Sequence, residues 1–492
     1  MIVSLYNALS KSVQPVKPLT EGEISIYSCG PTVYNTAHIG NMRSFLFADI
    51  LQRVMRVVGG YGVRWVMNIT DIDDKTIADS AMGSSSWPKE LGAQVDDSMV
   101  NLRRLTEYYS EMFLNDIARL GIERKHFLAM PRATDYIDEM RNLTQKIIDA
   151  GYGYVSGGSV YFNVAAYRKT HTYGRIFHVD MENFREGVRI DADEYDRDSV
   201  SDFVLWKARK GNEPFWDFTV AGENLPGRPG WHIECSAMSK QLLGLPFDVH
   251  TGGVDNRFPH HEDELAQCCA GYHIVEQATF WCHGEFLEVD GGKMSKSLNN
   301  FYTVTDLLER GLDIRDVRFS LISGHYRNKL NFTFDGVVAA GKTRIRIQQL
   351  IWQLLKKTNL KSYIGSDISV LGEPLFLQQS VYTALAEDLH MPRALAELFS
   401  ALPKIMIAEL DISQATQYLE VLWGVNCVLN VWEFTEQIFA EIPEHVAKIA
   451  SARWLAKSEK RWADADALRD EIASNGFVMK DGKDGYTLEP VP

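Results

Sequence analysis

The chain has 492 residues, 45% apolar and 24% charged, the balance of a protein that buries a sizeable core. At ~100–200 residues per domain, that length implies roughly three or four units. Against 51 Lys and Arg stand 65 Asp and Glu, a net charge of −14, which excludes a uniformly basic nucleic-acid coat and an anionic-membrane binder but not a local cationic patch. The six cysteines (Cys29, Cys235, Cys268, Cys269, Cys282 and Cys427) include no CxxC pair, so neither a disulfide scaffold nor a zinc ribbon is expected. Met1 to Tyr6 lacks a basic start followed by a long apolar run, and no stretch approaches the ~18 apolar residues of a membrane span. The expected setting is the reducing cytoplasm, where a thiol can serve as a ligand.

In chain order, Glu23-Ile-Ser-Ile-Tyr-Ser-Cys29 alternates with period two, as a strand does. After a Gly30-Pro31 break, Ile39, Met42, Leu46, Ile50 and Val54 recur at helical spacing from His38, and Gly59-Gly60 ends the run. Val63 to Ile69 reads as a second strand. Strand, helix, strand is a βαβ unit, which predicts a parallel sheet with right-handed crossovers. Residues 124–226, with the acidic run Asp191 to Asp196, are less regular and read as an insertion between two halves of that sheet. Phe247-Asp-Val-His250 and a helical pattern after Pro259 resume the α/β character. Beyond residue 335 the pattern is mostly helical, as in Ile345 to Leu355 and Ser380 to Leu402.

Two short runs suit phosphate. His38-Ile39-Gly40-Asn41 stands at a strand-loop-helix junction, where free N–H groups and the positive dipole end favour an anion. His38 adds a side-chain donor, and Gly40 lets a flat ring approach the backbone. Gly291-Gly292-Lys293-Met294-Ser295-Lys296-Ser297 places two cations at i and i+3, a clamp for polyphosphate charge.

These runs resemble the two signatures of class I aminoacyl-tRNA synthetases, HIGN at 38–41 and KMSKS at 293–297. Tyr27 to Tyr34, Asn68 to Lys75, Gly227 to Met238 and Phe258 to Glu264 narrow the resemblance to the cysteinyl-tRNA synthetases, over nearly the whole chain. The resemblance implies a Rossmann-like parallel-sheet catalytic domain in two halves (1–123 and 227–290) around a connective insertion (124–226). A KMSKS and stem-contact region (291–340), a helical bundle (341–435) and an anticodon-binding tail (436–492) would follow. It implies ATP-dependent ligation of L-cysteine to tRNA(Cys) through a cysteinyl-adenylate, with one Zn²⁺ per subunit, Mg²⁺ entering with ATP, no membrane partner and a monomeric state. His38, Asn41, Lys293 and Lys296 would be the catalytic set. ATP would meet His38, Gly40, Asn41, Asp255 and Lys296, and the amino acid Gly30, Thr70 and Trp231.

The zinc ligands likewise come from the resemblance, which maps them onto Cys29, Cys235, His260 and Glu264. Spacing alone does not join Cys29 to residues so distant; it shows only that His260 and Glu264, at i and i+4, share a helix face. His261 and His232 are the competitors for His260. Thiolate, imidazole and carboxylate together suit Zn²⁺, whose preference for sulfur would separate cysteine from serine. Cys268, Cys269, Cys282 and Cys427 read as small buried residues. Asp71, Asp73 and Asp74 resemble catalytic carboxylates but read better as turn and helix-start residues.

In the tail, Lys448, Arg453, Lys457, Lys460 and Arg461 cluster, and Trp462, Asp466 and Arg469 lie on one helical face. An indole can stack on a base, a carboxylate can accept guanine N–H groups, and a guanidinium can reach a base edge. The resemblance assigns these three, with Asp481, to anticodon reading. Two departures from the family pattern stand out: Asn41 replaces a second His, and Asp388-Leu-His-Met-Pro392 replaces an Asp-Phe-Asn-Thr-Pro type of run. The rival readings are a cysteine ligase acting on an amino sugar, of the mycothiol type, and a non-catalytic zinc-dependent tRNA-binding paralogue.

Overall fold

Five strands form the central sheet: β1 (Glu23–Ser28), β2 (Gly62–Met67), β3 (Phe127–Ala129), and, after further segments, Phe247–Gly253 and Ala278–Gly284. Their order from one edge is Ala278–Gly284, Phe247–Gly253, β1, β2, β3, and all four pairings are parallel. The alternating pattern of β1 buries Ile24, Ile26 and Tyr27 completely, and Phe247–Gly253 is buried along its whole length, as expected of strands covered on both faces. Helix α1 (Ile39–Val57) makes the crossover from β1 to β2, burying Met42, Leu46, Ile50 and Val54. The chain moves outward from β1 to β2 to β3, then returns to add Phe247–Gly253 on the other side of β1. The carboxyl ends of β1 and Phe247–Gly253 therefore flank a topological switch point, where open α/β sheets bind ligands.

The computed structural model describes residues 1–177, 189–190, 202–220, 222–294, 300–366, 368–436, 443–481 and 485–490. Lys296 and the run Asp191 to Asp196 lie outside the described residues. Of Lys293 the backbone is described and the side chain is not.

The region read as an insertion begins later than residue 124. Phe127–Ala129 is the edge strand of the main sheet, pairing with Trp65 and Val66; three residues are too few to show periodicity. Helix α2 (Ile137–Asp149) follows. A second, five-stranded sheet follows, with β4 (Gly153–Ser156), β5 (Ser159–Phe162), β6 (Asp202–Ala208) and β7 (Gly227–Pro229) paired antiparallel in the order β7-β6-β5-β4 and Arg189–Ile190 parallel to β6. From β7 the chain enters α3 (Trp231–Leu243), then the main-sheet strands β8 (Phe247–Gly253) and β9 (Ala278–Gly284), joined by α4 (His260–Tyr272). Beyond β9 lie β10 (Leu287–Val289), β11 (Gly292–Lys293) and β12 (Leu330–Phe332), a three-stranded sheet centred on β10.

The helical pattern over Ser380 to Leu402 is two helices, α5 (Gly372–Ala386) and α6 (Met391–Ala401). Asp388 and Leu389 break it with φ of 57° and 52°, a left-handed conformation that no continuous helix tolerates. The Asp388 carboxylate accepts hydrogen bonds from Tyr6 N at 2.8 Å, the Tyr326 hydroxyl and the Arg327 guanidinium at 2.8 Å. His390 then caps α6 through Arg393 N, with a proline in the first turn. The departure at 388–392 is thus a helix break held by buried hydrogen bonds.

The chain divides into two compact units: residues 1–344, 369–406 and 424–432, and residues 345–368, 407–423 and 433–492. The second unit ends in α7 (Glu444–Ser458), α8 (Trp462–Ser474) and the hairpin β13 (Phe477–Asp481) and β14 (Tyr486–Pro490). Val446, Ala450, Ile472, Phe477 and Met479 form a small hydrophobic cluster within these last elements. Among the described residues no helix is long and apolar enough to cross a membrane.

Candidate active site and metal centre

His38 is the N-cap of α1. Its Nδ1 accepts from Asn41 N at 3.2 Å, and the Asn41 side-chain oxygen accepts from His38 N at 3.1 Å, closing a capping box. Because Nδ1 is an acceptor, a neutral His38 ring carries its proton on Nε2. Asn41 thus completes the cap through its side-chain oxygen, with its amide N–H groups as donors. A Cβ on Gly40 would stand 2.9 Å from two His38 ring atoms, so the flat ring this glycine admits is that of His38 folding over the helix end. The Phe301 ring meets His38 edge-on at 5.0 Å, and Ile39 N donates to Tyr302 O at 2.9 Å.

The cleft at the switch point has a volume of about 340 Å³ and is lined by Cys29, Gly30, His38, Asn41, Trp231 and Asp255, among others. Gly30 is held by a close crossing: its N–H donates to the Asn68 side-chain oxygen at 2.9 Å, and a Cβ there would collide with Asn68 O at 1.6 Å. The Gly252-Gly253 pair makes room in the same way, since a Cβ would fall 2.9 Å from the His261 ring at one position and 2.2 Å from the Asp255 carboxylate at the other. Thr70 is buried, with its hydroxyl donating to Glu234 at 2.8 Å and accepting from Asn68 at 3.1 Å. That bonding gives it a supporting place beneath the cleft.

Behind Cys29 lies a dense cluster of donors. One ligand atom each from Cys29, Cys235, His260 and Glu264 lie within 4.8 Å of one another. These are the four residues the resemblance implied, contributed by the end of β1, by α3 and by the first two turns of α4. A second set, Cys29, His250, His261 and Glu264, also meets that limit. The two sets differ in what surrounds Glu264. Its Oε1 faces His260 Nε2 at 3.1 Å and Cys29 Sγ at 3.9 Å, whereas its Oε2 is already held by His250 Nε2 at 2.9 Å and Gln277 Nε2 at 3.1 Å. His260 is likewise backed by His232, Nδ1 to Nδ1 at 2.9 Å. Cys29, Cys235, His260 and Glu264 thus converge, while His250 and Gln277 hold the outer oxygen of Glu264 and His232 the outer nitrogen of His260, as supporting groups around a metal do. His261 contacts Cys29 Sγ at 3.2 Å and is itself backed by His283 at 2.9 Å.

The electrostatics fit a cation. Burial, together with the neighbouring Cys235 thiol and Glu264, pushes the Cys29 thiol well up, and burial also raises Cys235. Burial drives His260 and His261 well below the usual imidazole value, so the rings are neutral, the form that ligates. A divalent cation among two thiols and a carboxylate would reverse the penalty on their charged forms. The Trp231 ring lies over His260 with centroids 4.1 Å apart, joining the cleft to this cluster. His250 and Gln277 escaped the sequence reading. The available signal was six of the 13 histidines between residues 232 and 283.

The aspartates after β2 are structural. Asp71 accepts from the backbone and hydroxyl of Thr134 at 2.9 and 2.7 Å, Asp73 caps a short helix through Thr76 N at 2.7 Å, and Asp74 pairs with Lys207 at 2.7 Å and with Arg228. Cys268, Cys269 and Cys282 are buried and Cys427 is partly so; all four are free thiols.

In the second unit, Trp462, Asp466 and Arg469 are exposed on α8, while Ala465 and Ile472 face its core. Asp481 lies on β13 rather than on that helix. It lies between Arg453 at 2.8 Å and Lys457 at 2.7 Å, whose hydrogen bonds pull its carboxyl down to about 2. The cationic cluster is also largely neutralised locally: Lys448 meets Glu444 at 2.9 Å, and Arg461 meets Glu459 and Asp464 at 2.9 and 2.6 Å.

Residues 15–342 match the family model described as tRNA synthetases class I (C) catalytic domain. The chain is 39% identical to the cysteine–tRNA ligase of Chlamydia muridarum, covering 100% of both chains. It is 37% identical to that of Brachyspira hyodysenteriae and 38% to that of Leptospira interrogans, with 98% of each chain covered in both cases. Among solved structures, Mycobacterium tuberculosis methionyl-tRNA synthetase in complex with methionyl-adenylate superposes with a TM-score of 0.55 at 14% identity, covering 83% of this chain and 90% of that one. A putative arginyl-tRNA synthetase from Campylobacter jejuni gives 0.54 at 13%, covering 86% and 95%. These two establish the fold; the full-length identity to the ligases establishes more. The chain belongs to the cysteine–tRNA ligase family of class I aminoacyl-tRNA synthetases.

Proposed function

We propose that the protein ligates L-cysteine to tRNA(Cys) in two steps. The cysteine carboxylate attacks the α-phosphate of MgATP and pyrophosphate leaves; a terminal ribose hydroxyl of the tRNA then attacks the carbonyl carbon of the cysteinyl-adenylate, and AMP leaves. The observation that carries this reading is the convergence on one cleft of a thiol-rich ligand cluster, through Cys29, and a helix N-terminus capped by His38.

In the first step His38 Nε2–H and the N-terminal amides of α1 receive phosphate oxygens, with Asn41 as a further donor. Lys293 and Lys296 neutralise the departing pyrophosphate, and Asp255 serves the nucleotide. These roles are positioning and electrostatics, with no covalent bond to a side chain. Cys29, Cys235, His260 and Glu264 would hold zinc, which when bound supplies a soft Lewis acid that favours a thiolate over a hydroxyl. Trp231 forms a wall of the amino-acid pocket and limits access of water. Serine in this pocket would bury a hydroxyl without its preferred partner, a penalty that adds to the weaker affinity of the metal for oxygen. In the second unit Trp462, Asp466 and Arg469 present stacking, acceptor and donor groups to unpaired bases.

Cysteine-dependent ATP–pyrophosphate exchange, followed by charging of tRNA(Cys), tests the proposal. Both activities are expected from zinc-replete protein. Absence of exchange would overturn it, and exchange without charging would move the assignment to a cysteine ligase acting on an amino sugar.

A further inference from the structure

Arg43 lies on α1 one turn beyond His38, only 6% exposed. Its Nη1 donates to Glu285 O at 2.8 Å and to Phe286 O, and its Nη2 to Asn328 O and, at 3.4 Å, to His325 O. All four acceptors are main-chain carbonyls. Residues 285–286 immediately precede β10, and 325–328 precede β12; these strands pair in parallel from Leu287–Leu330 to Val289–Phe332. One guanidinium therefore grips the roots of both strands. Beyond β10 the chain turns through Asp290 and Gly291, both at positive φ, into β11, where Lys293 pairs with Glu288. The chain later returns to the same helix end, where Tyr302 O accepts from Ile39 N at 2.9 Å.

Such a buried cation is expensive: burial pulls its pKa down to about 10, and a well-packed apolar side chain would serve the fold as well or better. Five donors in a rigid fork can meet four carbonyls from two segments, a task lysine cannot duplicate. We propose that Arg43 is a positioning residue for adenylate formation, fixing the strands that carry Lys293 against the helix that carries His38. This role rests on the assignment of Lys293 to the ATP phosphates.

The test is a double-mutant cycle in the zinc-loaded full-length protein, read by ATP–pyrophosphate exchange. Arg43→Met should remain folded and lower kcat by about 10- to 100-fold, the scale of a misplacement near 1 Å, while KM for cysteine stays within about twofold because the metal cluster is untouched. Arg43→Lys should recover part of the loss. Since Arg43 acts through the strand of Lys293, the double variant Arg43→Met/Lys293→Ala should be no slower than Lys293→Ala alone. Wild-type kcat in Arg43→Met, or losses that multiply in the double variant, would overturn the positioning role. Full exchange in Lys293→Ala is a distinguishable result that withdraws the lysine assignment and this role with it. If Arg43→Met fails to fold, Arg43→Lys enters the same cycle with the same two criteria.

Discussion

Glu264 and His260 are at most 1% exposed, and each has a second polar neighbour behind it. On α8, Trp462 is 58% exposed, and the hydrophobic cluster beneath it is small, formed by Val446, Ala450, Ile472, Phe477 and Met479. Both regions are proposed to discriminate, one between sulfur and oxygen, the other among bases. The buried cluster does so by geometry fixed before the ligand arrives, where low dielectric makes every unpaired group costly. The helix face does so with groups that remain in water until a partner covers them, where each contact is worth less and is more independent. Substitutions in the first region should therefore be severe and coupled, and those in the second mild and separable.

The largest effect is expected from Cys235→Ser, which removes one of two sulfurs: zinc content and exchange activity should fall together by about 100-fold or more. Full zinc stoichiometry measured by metal analysis would contradict the ligand set. Next, His232→Ala leaves all four ligands in place but frees the outer nitrogen of His260. Chelator competition should show metal affinity reduced by about 10- to 100-fold, and unchanged affinity would mean the outer layer is passive. Trp462→Ala should lower charging by about tenfold, in line with ~1–3 kcal/mol for one stacked base, with exchange unaffected. Loss of exchange in that variant would break the expected separation of the two regions.

The smallest effect concerns Asp481→Asn. The Asp481 carboxyl is held at about 2, below its usual 3.8, so its stabilising contribution is complete above about pH 4 and is lost as pH falls towards 2. Thermal unfolding should show the variant less stable by about 1–2 °C at pH 7 and equal to the wild type near pH 2. The same deficit at both pH values would remove the charge pairs from the explanation.

Elements with long, regular patterns were legible from sequence: β1, α1 and β2 lie within a residue or two of their expected limits because hydrophobic period and glycine stops agree there. Phe127–Ala129 was not, since an edge strand of three residues carries no periodicity. Nor was the break at Asp388, where local helical propensity runs through a turn that tertiary hydrogen bonds enforce. In the candidate metal cluster, only His260 and Glu264 are neighbours in a local pattern; Cys29 meets them because β1 and β8 are adjacent at the switch point, and Cys235 because α3 packs against α4, topological facts no window of sequence contains. Family resemblance supplied those four ligands. It did not supply His250 and Gln277, whose role depends on which oxygen of Glu264 they hold. Nor were the partners of Asp481 legible, since Arg453 and Lys457 reach it from another element of its own unit.

The central claim is that the metal held by Cys29, Cys235, His260 and Glu264 takes the substrate sulfur. Cobalt(II) in place of zinc makes sulfur ligation visible as near-ultraviolet charge-transfer absorption. Adding cysteine to the cobalt-loaded full-length protein should raise that absorption by roughly half, as a third thiolate joins two, and serine should leave it unchanged. A spectrum that does not respond to cysteine, in protein that still catalyses cysteine-dependent exchange, would contradict the account.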